Sequence, residues 1–394
     1  MSDFGMTKIT IDNFKNFNGF SMHMTPLTAV VGNNAVGKSS LLQAVVFLKY
    51  ATTATVEDYM RDRNVTVDDL ASKGLTKIKK IMTFEVDFQF DSLKIVWKIS
   101  FLADKTNNQL MLRSEQVLQD GKTLLLDYLN GKGYRMRIHP RTGKIDREPI
   151  MSGAYPCSQL KFLDNRTAGR YYPKLFQIKQ FFEKTIPLDL LTPHNMRKTV
   201  RGKERTLGIR GEKLPALIQQ MSPEERDILM SRIRKALPNM TRVDSIMGRA
   251  GWTHLETMED YGSRHLKVPT SGISDGTLRL MALFSLSFLQ KQNGMTLLDE
   301  VEDGINSANV ELFLKSLKQY IEENRQQVLL TTHSTVVLDY VEPECIRYLY
   351  RDENGFTRCK EFLELENVKS QLDFLYPGEI LLNTSPEDLL GKQG

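Results

Sequence analysis

The chain has 394 residues, a formal net charge of +5, 41% hydrophobic and 26% charged residues, the make-up of a globular protein large enough for a sizeable core. No apolar run approaches the roughly 18 residues of a membrane helix, and the opening Met-Ser-Asp-Phe-Gly-Met-Thr lacks the basic-then-apolar form of a signal peptide. Cys157, Cys345 and Cys359 are far apart and odd in number, so neither a disulfide framework nor a zinc site is expected and the chain reads as cytoplasmic, with no membrane partner.

In chain order, residues 7–50 read strand, loop, strand, loop, helix. Leu27-Thr-Ala-Val-Val31 is a buried-strand run, and Gly32-Asn-Asn-Ala-Val-Gly37-Lys38-Ser39 fits G-x-x-x-x-G-K-[ST] at every fixed position. The following Ser39-Ser-Leu-Leu-Gln-Ala-Val-Val-Phe-Leu carries apolar residues at helical spacing. Gly32 and Gly37 let the backbone curl so that amides face a phosphate, and the helix N-terminus adds positive potential. The predicted nucleotide-binding residues are Asn33, Asn34, Ala35, Val36, Gly37, Lys38, Ser39 and Ser40. Lys38 would reach the β- and γ-phosphates of ATP and Ser39 would ligate Mg²⁺.

Residues 51–80 are polar and charged, suited to exposed helix and loop. From Met82 to about Ile138 short alternating strands, with turns at Asp104–Asn108, Asp120-Gly121 and Asn130-Gly131, predict an antiparallel meander. Residues 155–265 read as mainly helical, with Ser222-Pro-Glu-Glu225 as one helix start. From Ser271 an α/β pattern returns: helix Thr277–Gln290, strand Met295–Leu298, helix Ala308–Asn324 and strand Gln327–Thr331. The expected divisions are 1–150, 151–265 and 266–394.

Strand Met295–Leu298 ends in Asp299-Glu300, the Walker B arrangement, in which Asp299 would hold Mg²⁺ and Glu300 would polarise the attacking water as general base. The plainer alternative is that the pair caps the next helix. Strand Val328–Thr332 brings His333 to a neighbouring tip, where an imidazole can hydrogen-bond a γ-phosphate or the water. Ser274-Asp275-Gly276-Thr277 opens an apolar helix and makes a second anion cradle. One nucleotide already has its phosphates held by Gly37 and Lys38, so this second cradle suggests service to a nucleotide on another subunit.

The order phosphate loop, SDGT before a helix, LLDE, then TTHS resembles the ABC-type ATPase heads of the RecF, SMC and OLD-like group. Ile9-Thr-Ile-Asp-Asn-Phe-Lys-Asn-Phe17 is similar to that group's first strand, and Pro193 to Pro215 with Ala236-Leu-Pro-Asn239 is similar to its connecting lobe. The resemblance implies an α/β head with a mixed core sheet, an antiparallel β lobe and a helical insertion lobe. It also implies a head-to-tail dimer, or a higher even oligomer, with ATP sandwiched between Lys38, Asp299, Glu300 and His333 of one subunit and Ser274, Asp275 and Gly276 of the other. ATP would close the dimer and hydrolysis open it.

There are departures. Related heads read D-E-P-E-N-G-L-H-P where this chain has Asp299-Glu-Val-Glu-Asp-Gly-Ile-Asn-Ser307, so Glu302-Asp303-Gly304 keeps the acidic pair and glycine of the interface loop without its Pro and His. None of Gln89, Gln116 and Gln119 is singled out as a Q-loop glutamine. The roughly 60 residues after His333 are too few for a further domain of ordinary size, so effector chemistry is expected on a partner chain. Lys132–Lys144 and Arg197–Lys213 are basic and offer a phosphate-backbone contact for DNA or tRNA, or else an ordinary solvated or protein-docking face. Three functional readings follow: a switch subunit controlling a nuclease or toxin, a RecF-like ATPase that clamps DNA directly, and, last, a transporter's nucleotide subunit.

Overall fold

In Ile81–Phe90 every second side chain is buried, and this alternation builds the largest sheet. The computed structural model describes residues 4–74, 79–189, 193–203, 205–289, 293–303 and 305–391. It falls into two compact units, one of 1–185, 293–295 and 347–361, the other of 186–292, 296–346 and 362–394.

In the first unit, β1 (Phe4–Asp12), β2 (Phe20–His23), β3 (Leu27–Val31), β4 (Ile81–Phe90), β5 (Leu93–Asp104), β6 (Gln109–Gln119), β7 (Thr123–Leu129), β8 (Lys132–Ile138) and β9 (Ile145–Ile150) follow one another. All but β3 join an eight-stranded antiparallel sheet in the order β2-β1-β4-β5-β6-β7-β8-β9. The expected turns at Asp120-Gly121 and Asn130-Gly131 have positive φ at both residues (49° and 67°, 47° and 87°), the hairpin geometry that Asp-Gly and Asn-Gly favour. The inward face packs on the helix Lys38–Thr53 through Phe47, whose ring centroid lies 5.2 Å from that of Phe84 and 5.5 Å from that of Phe101. β3, all five residues buried, neighbours strand Ile346–Arg351, which pairs antiparallel with Thr357–Glu361.

One carboxylate lies inside this core. Glu115 on β6 is fully buried; its Oε1 accepts from Trp97 Nε1 (2.9 Å) and Ser158 Oγ (2.6 Å), and its Oε2 accepts from Gln159 N (2.6 Å). Burial pushes its pKa up to about 7, against the pull of the three donors.

In the second unit, strand Ile186–Leu188 pairs parallel with Met295–Leu298, which neighbours Gln327–Thr331. The helix Pro223–Ala236 begins with the expected capping box, Ser222 and Glu225 bonding reciprocally. The helix expected over Thr277–Gln290 runs from Asp275 to Phe284 and gives way to a 3₁₀ turn at Leu286–Phe288; Gln290 lies outside the described residues. The expectation of mainly helical structure over 155–265 fails beyond Pro238. Met240–Met247, Trp252–Asp260 and His265–Pro269 are antiparallel strands, with Val200–Arg201 pairing antiparallel to the first two residues of the middle one. The inward face of Trp252–Asp260 buries Thr253 and Thr257 beside Leu255, so its alternation is half hidden from a reading of hydrophobicity.

Candidate active site

Gly32–Ser39 joins β3 to its helix as the sequence predicts. Gly32, Ala35 and Gly37 have φ of 151°, 60° and 112°, and Gly37 stands at the helix N-cap with no side-chain cap, so backbone amides open the first turn. A Cβ on Gly32 would lie 2.2 Å from Leu349 O, and one on Gly37 2.2 Å from Asn16 Nδ2; both positions require glycine for space as well as conformation. Lys38 is buried, its ammonium donating to Gly32 O (2.8 Å) and Asn33 O (3.1 Å), folded over the loop. Ser39 and Ser40 follow in the first turn.

The second unit assembles an acidic cluster at two neighbouring strand tips. Thr331 Oγ1 donates to Asp299 Oδ1 (2.5 Å) and accepts from Glu300 N (2.9 Å). Glu300 adopts a left-handed backbone, φ 46°, a conformation that costs a side-chain-bearing residue on the order of 1 kcal/mol. Its side chain is 43% exposed and its Oε1 lies 3.9 Å from His333 Nε2. That is longer than a hydrogen bond and near enough for one water or substrate oxygen to touch both. Glu302 bridges back: Oε1 accepts from His333 N (2.5 Å) and Oε2 from Thr332 Oγ1 (2.8 Å). Asp303 pairs with Arg279 at 3.1 Å, and Gly304 lies outside the described residues. A cleft lined by Leu188, Arg279, Leu298, Asp299, Glu300 and Asp303 opens beside the cluster.

Ser274 caps the helix Asp275–Phe284; its Oγ accepts from Thr277 N (3.2 Å) and donates to Thr277 Oγ1 (2.8 Å). Asp275 is held by Arg197, 2.5 Å away, which also donates to Ile273 O (2.7 Å). Gly276 occupies the first turn. Sequence reading gave Arg279 no role and took Arg197 only as part of a basic segment and Thr331 and Thr332 only as part of the TTHS motif, because each acts on a residue at least 24 positions away.

The two basic segments use much of their charge internally. On β8, Arg135 pairs with Glu148 (3.1 Å) and lies over the Tyr172 ring, and Arg137 lies over Tyr171. In the hairpin turn His139 and Lys144 both meet Asp146. Besides Arg197, Arg205 pairs with Glu225 (2.5 Å) and Arg210 stands 3.9 Å from Asp189. Of the three glutamines considered, Gln116 donates to Asp127, Gln89 to Asp91 O, and Gln119 to Asp120 while accepting from Lys174. No described helix is long and apolar enough to cross a membrane.

Comparison with known proteins gives two family matches that together run from residue 6 to residue 339. Residues 6–200 match the family described as "AAA ATPase domain", and residues 165–339 the one described as "AAA domain, putative AbiEii toxin, Type IV TA system". An "ATP/GTP phosphatase" of Helicobacter pylori is 21% identical over 354 residues, covering 85% of this chain and 86% of that protein. The fold is similar to an SMC head bound to the C-winged helix domain of ScpA (TM-score 0.56, 16% identity, 90% of this chain and 96% of the other). It is also similar to the SMC head with extended coiled coil derived from Pyrococcus furiosus and bound to the C-terminal domain of ScpA (TM-score 0.52, 12% identity, 90% and 95%).

Proposed function

Because the chain is an ABC-type ATPase of the RecF/SMC-like AAA group, with that group's α/β head fold, we propose that it is a Mg²⁺-dependent ATP switch. Two copies close head to tail around ATP, hydrolysis reopens them, and the motion controls a separate nuclease or toxin chain of a defence or toxin-type system. The observation that carries the catalytic part is the strand-tip cluster, where an exposed carboxylate and an imidazole stand side by side, each fixed through its backbone by a buried-strand threonine or by Glu302.

In this reading Lys38 and the amides of Asn33–Ser40 bind the ATP phosphates. Glu300 accepts the proton of the attacking water, and His333 donates a hydrogen bond to the γ-phosphate or orients that water. The donor set fits magnesium: Ser39 and Asp299 are hard oxygen ligands, few in number, of the kind that ion uses together with phosphate oxygens and water. When bound it would neutralise charge on the β- and γ-phosphates. Ser274, Asp275 and Gly276 serve the partner's nucleotide, with Arg197 keeping the Asp275 carboxylate turned aside so that the helix N-terminus keeps its affinity for an anion.

The toxin-system part rests on the family description that covers residues 165–339. The DNA-clamp reading is the alternative; Arg135, Arg197 and Arg205 of its basic segments are paired within the chain.

The test is Glu300→Gln. It should bind ATP, lose turnover at least a hundredfold, and run as a dimer in light scattering with ATP but not with ADP. Turnover within twofold of wild type would remove Glu300 from the mechanism.

A further inference from the structure

Three side chains brace the phosphate loop from outside, two of them more than 300 residues away in sequence. Arg351, at the end of strand Ile346–Arg351, brings Nη2 to 2.6 Å and Nε to 3.2 Å from Ala35 O, while its Nη1 donates to Gly355 O at 2.6 Å. Thr357 Oγ1 donates to Val36 O at 2.5 Å. Asn16 Nδ2 donates to that same carbonyl at 3.1 Å and to Thr357 Oγ1 at 2.5 Å, and Thr357 N donates to Asn16 O at 3.0 Å. Asn16 Oδ1 is buried without a hydrogen-bond partner. The flipped amide would set that oxygen against Val36 O, so the loop carbonyl decides how Asn16 lies.

A trans peptide holds its C=O and the next residue's N–H in opposite directions. Ala35 C=O shares a peptide plane with Val36 N–H, and Val36 C=O shares one with Gly37 N–H. Fixing both carbonyls from outside therefore aims both amides the other way. Ala35, with φ 60°, lies in a conformation an alanine adopts at a cost, and the two-nitrogen grip of Arg351 on its carbonyl is positioned to hold it there. Gly37 closes the arrangement, since a Cβ there would collide with Asn16 Nδ2 at 2.2 Å and Thr357 Oγ1 at 2.8 Å.

We propose that Arg351, Thr357 and Asn16 are positioning residues that set the phosphate affinity of the loop by aiming the Val36 and Gly37 amides. They act through the loop backbone rather than on the nucleotide itself. The proposal rests on Gly32–Ser39 being the ATP phosphate site.

The test is calorimetric titration of the full chain with Mg²⁺-ATP, comparing Thr357→Val, Thr357→Ser, Arg351→Met and the control Lys38→Ala. Thr357→Val and Arg351→Met should each weaken binding about tenfold, the scale of one well-placed hydrogen bond. Thr357→Ser, which keeps the hydroxyl, should bind within threefold of wild type, a recovery that a purely structural role for the methyl would not give. Arg351 is solvent-exposed, so Arg351→Met carries the test should Thr357→Val fail to fold. Wild-type affinity in both Thr357→Val and Arg351→Met, with binding lost in Lys38→Ala, overturns the brace and leaves the site standing. Wild-type affinity in Lys38→Ala overturns both.

Discussion

Replacing Glu115 by Gln tests whether a buried carboxylate couples the β lobe to pH. Its three partners all donate, an arrangement suited to the anion, yet full burial outweighs them and its folded pKa lies near 7. An unfolded glutamate titrates near 4.3. Between those values the folded chain keeps a proton that the unfolded chain has released, so stability is fully present below about pH 4.5 and is lost as pH rises through 7. At about 1.4 kcal/mol per unit the whole window is worth about 4 kcal/mol. The variant has no such proton. Its amide would also face the Gln159 N–H donor-to-donor, costing about 1–3 kcal/mol at every pH. Urea unfolding of both proteins from pH 5 to pH 8 separates the two effects, because groups that titrate elsewhere cancel in the difference. The wild-type advantage should shrink by roughly 2–3 kcal/mol across that range. Parallel curves, offset by a constant, would refute the reasoning.

Gly37→Ala should abolish ATP binding, because its Cβ meets Asn16 and Thr357 at 2.2 and 2.8 Å in a left-handed backbone; calorimetry within threefold of wild type would contradict this. Glu302→Ala removes both acceptors that fix the Thr332–His333 tip and should lower kcat by roughly 10–100-fold with KM little changed, about 1.4–2.7 kcal/mol in the transition state. A rise in KM alone would assign Glu302 to binding. Mixing inactive Lys38→Ala with inactive Ser274→Arg should restore part of the turnover, since the proposed dimer would keep one composite site intact in the mixed pair; no recovery at any ratio would argue for a site within one chain. Gly378→Ala places a Cβ 2.1 Å from Thr335 O and 2.7 Å from Asp339 Oδ1, so thermal unfolding should show a loss of about 2 kcal/mol or more.

What the sequence made legible was local. The phosphate loop, the capping box at Ser222 and the strands ending at Leu298 and Thr331 each declare themselves within a dozen residues, because backbone conformation there follows from glycine, caps and apolar runs. Strand Trp252–Asp260 escaped because buried Thr253 and Thr257 look polar on paper, although their methyls and β-branching suit a packed strand. The basic segments were half legible for the complementary reason: a run of arginines shows its charge in sequence but not the carboxylates of Glu148, Glu225 and Asp275 that fold against it. Arg351 and Thr357 could not be seen at all, since their partners lie at Ala35 and Val36.

The return of strands Ile346–Arg351 and Thr357–Glu361 to β3 also sets an order of events during synthesis. Val36 leaves the ribosome some 320 residues before Thr357 (357 − 36 = 321), a delay of roughly 15–60 s at usual elongation rates. Through that interval the loop lacks Arg351 and Thr357, two of the three side chains that hold its outward carbonyls. On the proposed brace, a chain that stops short of Thr357 presents a weaker phosphate cradle and competes poorly for ATP with copies that carry it. Nucleotide capture would then report that synthesis has passed Thr357, and the proposed ATP-closed dimer would favour chains that have reached that point.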